Sequence, residues 1–255
     1  MSLAKLQDLS GRVALVTGGS RGLGLQMAEV LGELGAKVAI TARKAAELEE
    51  AREHLRALGA VAVPIVSDMG NLAGIGAMVV ETVEKCGPID ILINNAGTTW
   101  GAPTLEHPLE AWNKVITLNL SAIFVASQEV GKRCMVPRKS GKIINVASIQ
   151  GLSGGYPIGA PTISYNASKG GVVNMTRMLA KEWAPFNINV NAIAPGYFES
   201  KMTKTIYEQQ AELAPMKRTG GPEDLKGVTA LLASDACAFL TGQIIAVDGG
   251  VTAAF

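Results

Sequence analysis

A chain of 255 residues with 48% apolar side chains can bury a full core, as one large domain or two small ones. Its net charge of +1 gives no pull toward nucleic acid or an anionic membrane surface. Cys86, Cys134 and Cys237 are far apart and odd in number, and no Cys/His cluster has metal-ligand spacing. Each cysteine reads as a small buried hydrophobe, which suits a reducing, cytoplasmic setting, and no metal is expected. Residues Met1 to Gly11 lack a signal-peptide core, and no run approaches the ~20 apolar residues of a membrane span.

Short β-rich runs alternate with longer helical stretches. Strands are predicted at Arg12–Thr17, Lys37–Thr41, Val61–Val66, Ile89–Asn94, Lys142–Ala147, Asn187–Ile193 and Gln243–Val247. Most are nearly continuous Val, Ile, Ala and Leu, as in parallel strands buried on both faces. Helices are predicted at Gly22–Leu34, Ala45–Leu58, Leu72–Cys86, Leu109–Val136, Ser164–Trp183 and Pro222–Ser234. This alternation implies right-handed βαβ units and an α/β, Rossmann-type, doubly wound parallel sheet of about seven strands with helices on both faces. No linker, charge block or low-complexity tract divides the chain, so a single domain over residues 1–255 is expected. Ligands of such folds bind at the carboxyl ends of the strands, where the strand order reverses.

After the first strand comes Thr17-Gly18-Gly19-Ser20-Arg21-Gly22-Leu23-Gly24, then a helical pattern. Glycines there let the backbone turn sharply and approach a pyrophosphate, which free N–H groups and the helix dipole would hold. The second strand ends at Thr41-Ala42-Arg43-Lys44, with no acid between Lys37 and Ala46 to take a ribose 2′-hydroxyl. Arg43 stands instead where a 2′-phosphate would lie, with Arg21 as support, so NADP(H) is preferred and NAD(H) remains possible. Asp68, in Ser67-Asp68-Met69, could accept from an adenine amino group or cap the next helix. Asn94-Asn95-Ala96-Gly97 offers a small-residue turn after the fourth strand.

Tyr165 and Lys169 are four residues apart in a helical segment and so stack on one face. A phenol with pKa ~10 is a poor proton shuttle at neutral pH, and a fixed ammonium nearby would lower that pKa. Tyr156 is a rival tyrosine, but Ala160 occupies the position four residues on, so it is rejected.

Together these segments resemble the short-chain dehydrogenase/reductase family, broadly its 3-oxoacyl-acyl-carrier-protein reductase-like members. The matching pieces are Thr17-Gly18-x-x-x-Gly22-x-Gly24, Asp68, Asn94-Asn95-Ala96-Gly97, Asn119, Ser148, Tyr165-x-x-x-Lys169, Pro195-Gly196 and Asp248-Gly249-Gly250. The resemblance implies a catalytic set. Ser148 would hydrogen-bond the substrate oxygen and Tyr165 would exchange its proton. Lys169 would lower the Tyr165 pKa and hold the nicotinamide ribose, and Asn119 would anchor a relay water. It further implies cofactor contacts at Gly18, Ser20, Arg21, Gly22, Leu23, Gly24, Arg43, Asp68, Met69, Asn95, Ala96, Gly97, Tyr165, Lys169, Pro195, Gly196 and Ser200. The cofactor half would run to about residue 150, with substrate-side elements near 149–164 and 195–215.

One departure is the longer segment between Ser148 and Tyr165, rich in glycine and proline. With Trp100, Tyr156, Ile158, Tyr197, Phe198 and Met202, it would give a mostly apolar pocket with one polar corner. The implied substrate is a small ketone or a 3-oxoacyl compound, with a sugar or polyol as the alternative. Lys132, Arg133, Arg138 and Lys139 could dock an acidic carrier or simply end a solvated helix. Apolar surplus on the 109–136 and 164–183 helices and the tail Val251–Phe255 points to a homotetramer. The other function class, a catalytically silent NADP-binding scaffold, would have lost one of Ser148, Tyr165 or Lys169.

Overall fold

The computed structural model describes residues 1–155, 159–199 and 207–254. Tyr156, Ile158, Ser200, Met202 and Phe255, named above, lie outside the described residues. Seven strands, all parallel, form one sheet: β1 (Val13–Thr17), β2 (Lys37–Ala42), β3 (Val61–Val66), β4 (Ile91–Asn94), β5 (Gly141–Val146), β6 (Ile188–Pro195) and β7 (Ile244–Val247). Their order is β3-β2-β1-β4-β5-β6-β7. The chain therefore winds outward from β1 to β3, returns to the centre, and winds out again from β4 to β7. The reversal falls between β1 and β4.

The helices are α1 (Leu3–Gln7), α2 (Gly22–Glu33), α3 (Ala45–Ala57), α4 (Ile75–Cys86), α5 (Leu109–Ile116), α6 (Ala122–Val130), α7 (Val136–Arg138), α8 (Ile163–Trp183), α9 (Tyr207–Leu213), α10 (Lys226–Ala233) and α11 (Val251–Ala254). Strand residues feed the two faces alternately, as period-two geometry requires. Ala14 and Val16 of β1 pack with Met27, Leu31, Leu48 and Leu232 on one face, while Val13 and Leu15 pack with Val79, Ala126, Val130 and Leu179 on the other. Both faces of β1, β4, β5 and β6 are buried, which is why these strands read as mostly apolar runs.

The predicted helix at 109–136 is one continuous rod over 109–138, but not a regular one. Two π-helical turns, Thr117–Ser121 and Gly131–Met135, interrupt it between α5 and α6 and between α6 and α7. Each π turn widens the helix locally, a feature that recurs at functional sites. The last predicted helix starts at Lys226 rather than Pro222, and α1, α9 and α11 are too short for periodicity to reveal.

Polar side chains also enter the core. Asn94 on β4 donates through Nδ2 to Ser127 Oγ at 3.1 Å and to Asn145 Oδ1 at 2.9 Å. Asn145 on β5 donates on to Thr176 Oγ1 at 3.0 Å, and Thr176 donates to the Val172 carbonyl at 2.8 Å. All four residues are buried, so these bonds offset their desolvation and tie β4, β5, α6 and α8 in one register. The rod's basic end is partly occupied as well. Arg133 pairs with Glu129, and Arg138 pairs with Asp90 while donating to the Cys134 and Ile89 carbonyls. Of the four basic side chains that could dock a carrier, these two serve the fold.

Candidate active site at the strand-order reversal

The glycine loop follows β1 and opens α2. A side chain at Gly24 would bring its Cβ within 2.3 Å of the Gly18 carbonyl oxygen, so only glycine lets α2 begin this close under the loop. Arg21 is the N-cap of α2 and makes no side-chain capping bond, which leaves the first-turn N–H groups for another acceptor. Asn95 turns its side chain toward the glycine loop. Its Nδ2 donates to the carbonyls of Thr17 at 2.9 Å and Gly18 at 3.1 Å. Thr17 Oγ1 in turn accepts from the N–H groups of Asn95 and Ala96. The ends of β1 and β4 are thus latched where their continuations part.

Arg43 follows β2 and is exposed, with no ion-pair partner among the described residues. Arg21 lies 3.7 Å from Glu47, which also pairs with Lys44 at 2.9 Å. Asp68 accepts from the Gly70 N–H at 2.9 Å, so it closes a turn and does not cap α4. It borders a groove of about 250 Å³ with Val66, Ser67, Asn71, Met78 and Glu81. The Met69 side chain is buried in the core, so any part it takes in a site is through its backbone. Ser20 and Leu23 are half-buried on the loop and α2, and Gly196, after β6, abuts Asp248 closely enough to exclude a side chain. A close-fitting glycine turn, a helix start with open N–H groups and a cation after β2 together match the charge and shape of a dinucleotide phosphate.

Ser148 lies just after β5 and is the N-cap of a short 3₁₀ turn, Ile149–Gly151. Its Oγ accepts from the Gln150 N–H at 3.1 Å. Tyr165 and Lys169 lie on α8, with Lys169 Nζ 5.6 Å from the centre of the Tyr165 ring. Nζ donates to the Val146 carbonyl at 2.6 Å, which draws the first turns of α8 onto the end of β5. Burial lowers the Lys169 pKa to about 8. Burial also raises the Tyr165 phenol, and the Ser148 hydroxyl, as a hydrogen-bonding neighbour, pulls it back. This differs from the expected ordering, in which the lysine lowers the tyrosine. Here both groups are pressed toward their neutral forms, and the opposing influence on the phenol comes from Ser148.

Asn119 is fully buried within the first π turn. Its Oδ1 accepts from the Thr98 N–H and its Nδ2 donates to the Thr98 carbonyl, both at 2.8 Å. The same Nδ2 donates to Ser168 Oγ at 3.1 Å, and Ser168 donates to the Tyr165 carbonyl at 2.7 Å. Both amide hydrogens are occupied, so a relay water at Asn119 would have to use a carbonyl oxygen.

Ser168, Thr98 and Gly151 were not singled out from sequence, and Thr17 was read only as the start of the glycine motif. A Cβ at Gly151 would meet the Lys169 carbonyl carbon at 2.5 Å, so this glycine lets the Ser148 turn press onto α8. In sequence it is one of several glycines in a loop.

A family model described as short chain dehydrogenase matches residues 12–211. The chain belongs to the short-chain dehydrogenase family. It is an oxidoreductase of that type, and its curated relatives include a 5-keto-D-gluconate 5-reductase of Escherichia coli, 40% identical over 98% of each chain. A rhamnolipids biosynthesis 3-oxoacyl-[acyl-carrier-protein] reductase of Pseudomonas aeruginosa is 38% identical, over 95% of this chain and 97% of its own. A crystal structure of a gluconate 5-dehydrogenase from Burkholderia cenocepacia, in complex with NADP and tartrate, superposes with a TM-score of 0.92 at 33% identity, covering all of both chains. Among the described residues no helix is long and apolar enough to cross a membrane.

The Lys169 shift predicts a pH-dependent stability. Between pH 8 and 10.5 the unfolded chain holds a proton on this lysine that the folded chain has released, so stability rises with pH. The rise ends near pH 10, where the raised phenol of Tyr165 keeps a proton that the unfolded chain loses. Urea unfolding of the wild type and Lys169→Met should therefore show a stability difference that moves in favour of the wild type by about 2 kcal/mol from pH 8 to 9.5. A difference flat across that range would place the ammonium in water.

Proposed function

We propose that this short-chain dehydrogenase uses NADP(H) to interconvert a ketone and a secondary alcohol on a small polyhydroxylated acid, with Ser148, Tyr165, Lys169 and Asn119 as its catalytic set. The observation that carries this reading is the convergence of the four at the carboxyl ends of β4 and β5, beside the glycine turn. The nicotinamide supplies or accepts the hydride at the carbonyl carbon. Tyr165 gives its phenolic proton to the substrate oxygen in reduction and takes it back in oxidation. The one hydroxyl proton of Ser148 is donated to that oxygen or to the phenolate, stabilising charge as it develops. Lys169, cationic below about pH 8, supports the phenolate and lies near enough to hold a ribose hydroxyl. Asn119 fixes the height of α8 through Ser168 and offers its carbonyl to a proton relay.

The cofactor half, to about residue 150, would hold the dinucleotide through Gly18, Ser20, Arg21, Gly22, Leu23, Gly24, Arg43, Asp68, the Met69 backbone, Ala96, Gly97, Pro195, Gly196 and Ser200. Asn95 shapes this cradle from behind. NADP(H) is supported by Arg43 after β2 and by the NADP bound to the Burkholderia cenocepacia structure. The sugar-acid class is supported by the Escherichia coli relative. The second reading, a 3-oxoacyl thioester, is supported by the Pseudomonas aeruginosa relative. A soluble cytoplasmic homotetramer is the assembly we infer. Phe124 on α6, Met178 on α8 and Phe239 before β7 are exposed apolar side chains that contact between copies would cover.

NADPH oxidation with 5-keto-D-gluconate or acetoacetyl-CoA separates the two substrate classes, and activity is expected with the first. Tyr165→Phe should bind NADPH normally and lose turnover by ~10² or more. Near-normal turnover would refute its role as proton donor.

Arg43→Ala should weaken NADPH binding by ~1.5–3 kcal/mol and NADH binding much less. An equal loss for both would mean that Arg43 only packs against the adenine.

Light scattering at micromolar concentration should give four times the chain mass. A monomer would contradict the inferred assembly.

A further inference from the structure

The residues between Ser148 and Tyr165 pose a mechanical problem. A serine and a tyrosine that share one substrate oxygen must keep their separation within about 0.5 Å. The segment joining them is long, rich in glycine, and exposed over Leu152–Gly155. Left alone, such a segment would let the Ser148 turn drift from α8.

A line of hydrogen bonds crosses that gap. Thr162 Oγ1 donates to Asn166 Oδ1 at 2.9 Å. Asn166 Nδ2 donates to Gln150 Oε1 at 3.1 Å. The Gln150 N–H donates to Ser148 Oγ at 3.1 Å. Asn166 directly follows Tyr165, so one end of the line is fixed to the tyrosine's own helix turn, while the other end reaches the serine hydroxyl. Gly155, at φ +110°, brings the loop over the pair, and a Cβ there would lie 3.1 Å from Gln150 Oε1 and 3.4 Å from Asn166 Nδ2.

We propose that Gln150 and Asn166 form a positioning clamp, a side-chain bridge that sets the Ser148 hydroxyl against the Tyr165 phenol. Neither residue is a proton carrier. Gln150 acts through its backbone N–H, which fills one lone pair of Ser148 Oγ and leaves the hydroxyl proton free to point at the phenol or the substrate oxygen. Asn166 acts by holding Gln150 in place. The clamp explains how a long, glycine-rich insertion can lie between two groups that need fixed spacing.

The proposal rests on Ser148 and Tyr165 being the catalytic pair, which Tyr165→Phe tests separately. Gln150→Met, Asn166→Ala and their combination are measured in the full chain with NADPH and the faster of 5-keto-D-gluconate and acetoacetyl-CoA. Each single change should lower kcat by about tenfold, and the double change should cost little more than either alone, since both break one bridge. NADPH affinity should stay within about twofold. The basic limb of the kcat profile should move to higher pH in all three, because Ser148 no longer holds the phenolate as closely. Singles with wild-type kcat, losses that multiply in the double, or a reduced kcat with an unmoved pH profile would each overturn the clamp. If Asn166→Ala does not fold, the kcat and pH profile of Gln150→Met decide alone. Normal loss in Tyr165→Phe alongside an unaffected Gln150→Met would discard the clamp and leave the catalytic pair standing.

Discussion

Two neighbouring parallel strands whose continuations leave in opposite directions must be tied where they part. In this protein Thr17 and Asn95 tie them. The side chain of each reaches the backbone of the other strand's loop, so the crevice between β1 and β4 opens from a fixed floor. The glycine turn on one side and Asn95-Ala96-Gly97 on the other take their positions from that latch. From the latter, Thr98 holds Asn119, Asn119 holds Ser168, and Ser168 holds the carbonyl of Tyr165. The glycine turn and the Tyr165 turn of α8 therefore belong to one hydrogen-bonded frame, although they come from elements distant in sequence.

Below that frame, Asn94, Asn145 and Thr176 do in the core what Thr17 and Asn95 do at the rim. Apolar packing alone tolerates small slips between a helix and a sheet, since dispersion is non-directional. A buried amide with both ends bonded tolerates none without exposing an unpaired group. The register of α8 against β5 is consequently set by polar contacts, and Lys169 adds the last of them at the Val146 carbonyl.

Much of this was legible in the sequence, for identifiable reasons. The strands were legible because residues buried on both faces leave continuous Val, Ile and Leu runs, and all seven begin and end within two residues of the expected positions. Tyr165 and Lys169 were legible because a four-residue spacing has one meaning on a helix. Ser168 was hidden because a serine beside Lys169 looks like any small helix residue. Gly151 was hidden among loop glycines, since nothing local says that another helix lies within contact distance. Asn95 was legible as part of a small-residue turn, but not as the donor that reaches back to the glycine loop. The ordering of acid strengths was also out of reach, because burial of Tyr165 and Lys169 is a property of the assembled site and not of their spacing.

The π-helical turn that carries Asn119 has a consequence for how this chain can change length. A π turn is one residue more than the α-helix has room for, so removing a single residue from Thr117–Ser121 would restore a regular helix without breaking it. The turns on either side would keep their facing, because the π turn had absorbed the extra residue, and only the side chains within Thr117–Ser121 would change direction. Hydropathy, helix propensity and the packing of α6 would all look undisturbed, yet the Asn119 side chain would lose its present direction toward Thr98 and Ser168. Insertions and deletions are usually judged harmless in loops and harmful in helices by the disruption they cause. In this rod the harmful deletion is the one that tidies the helix.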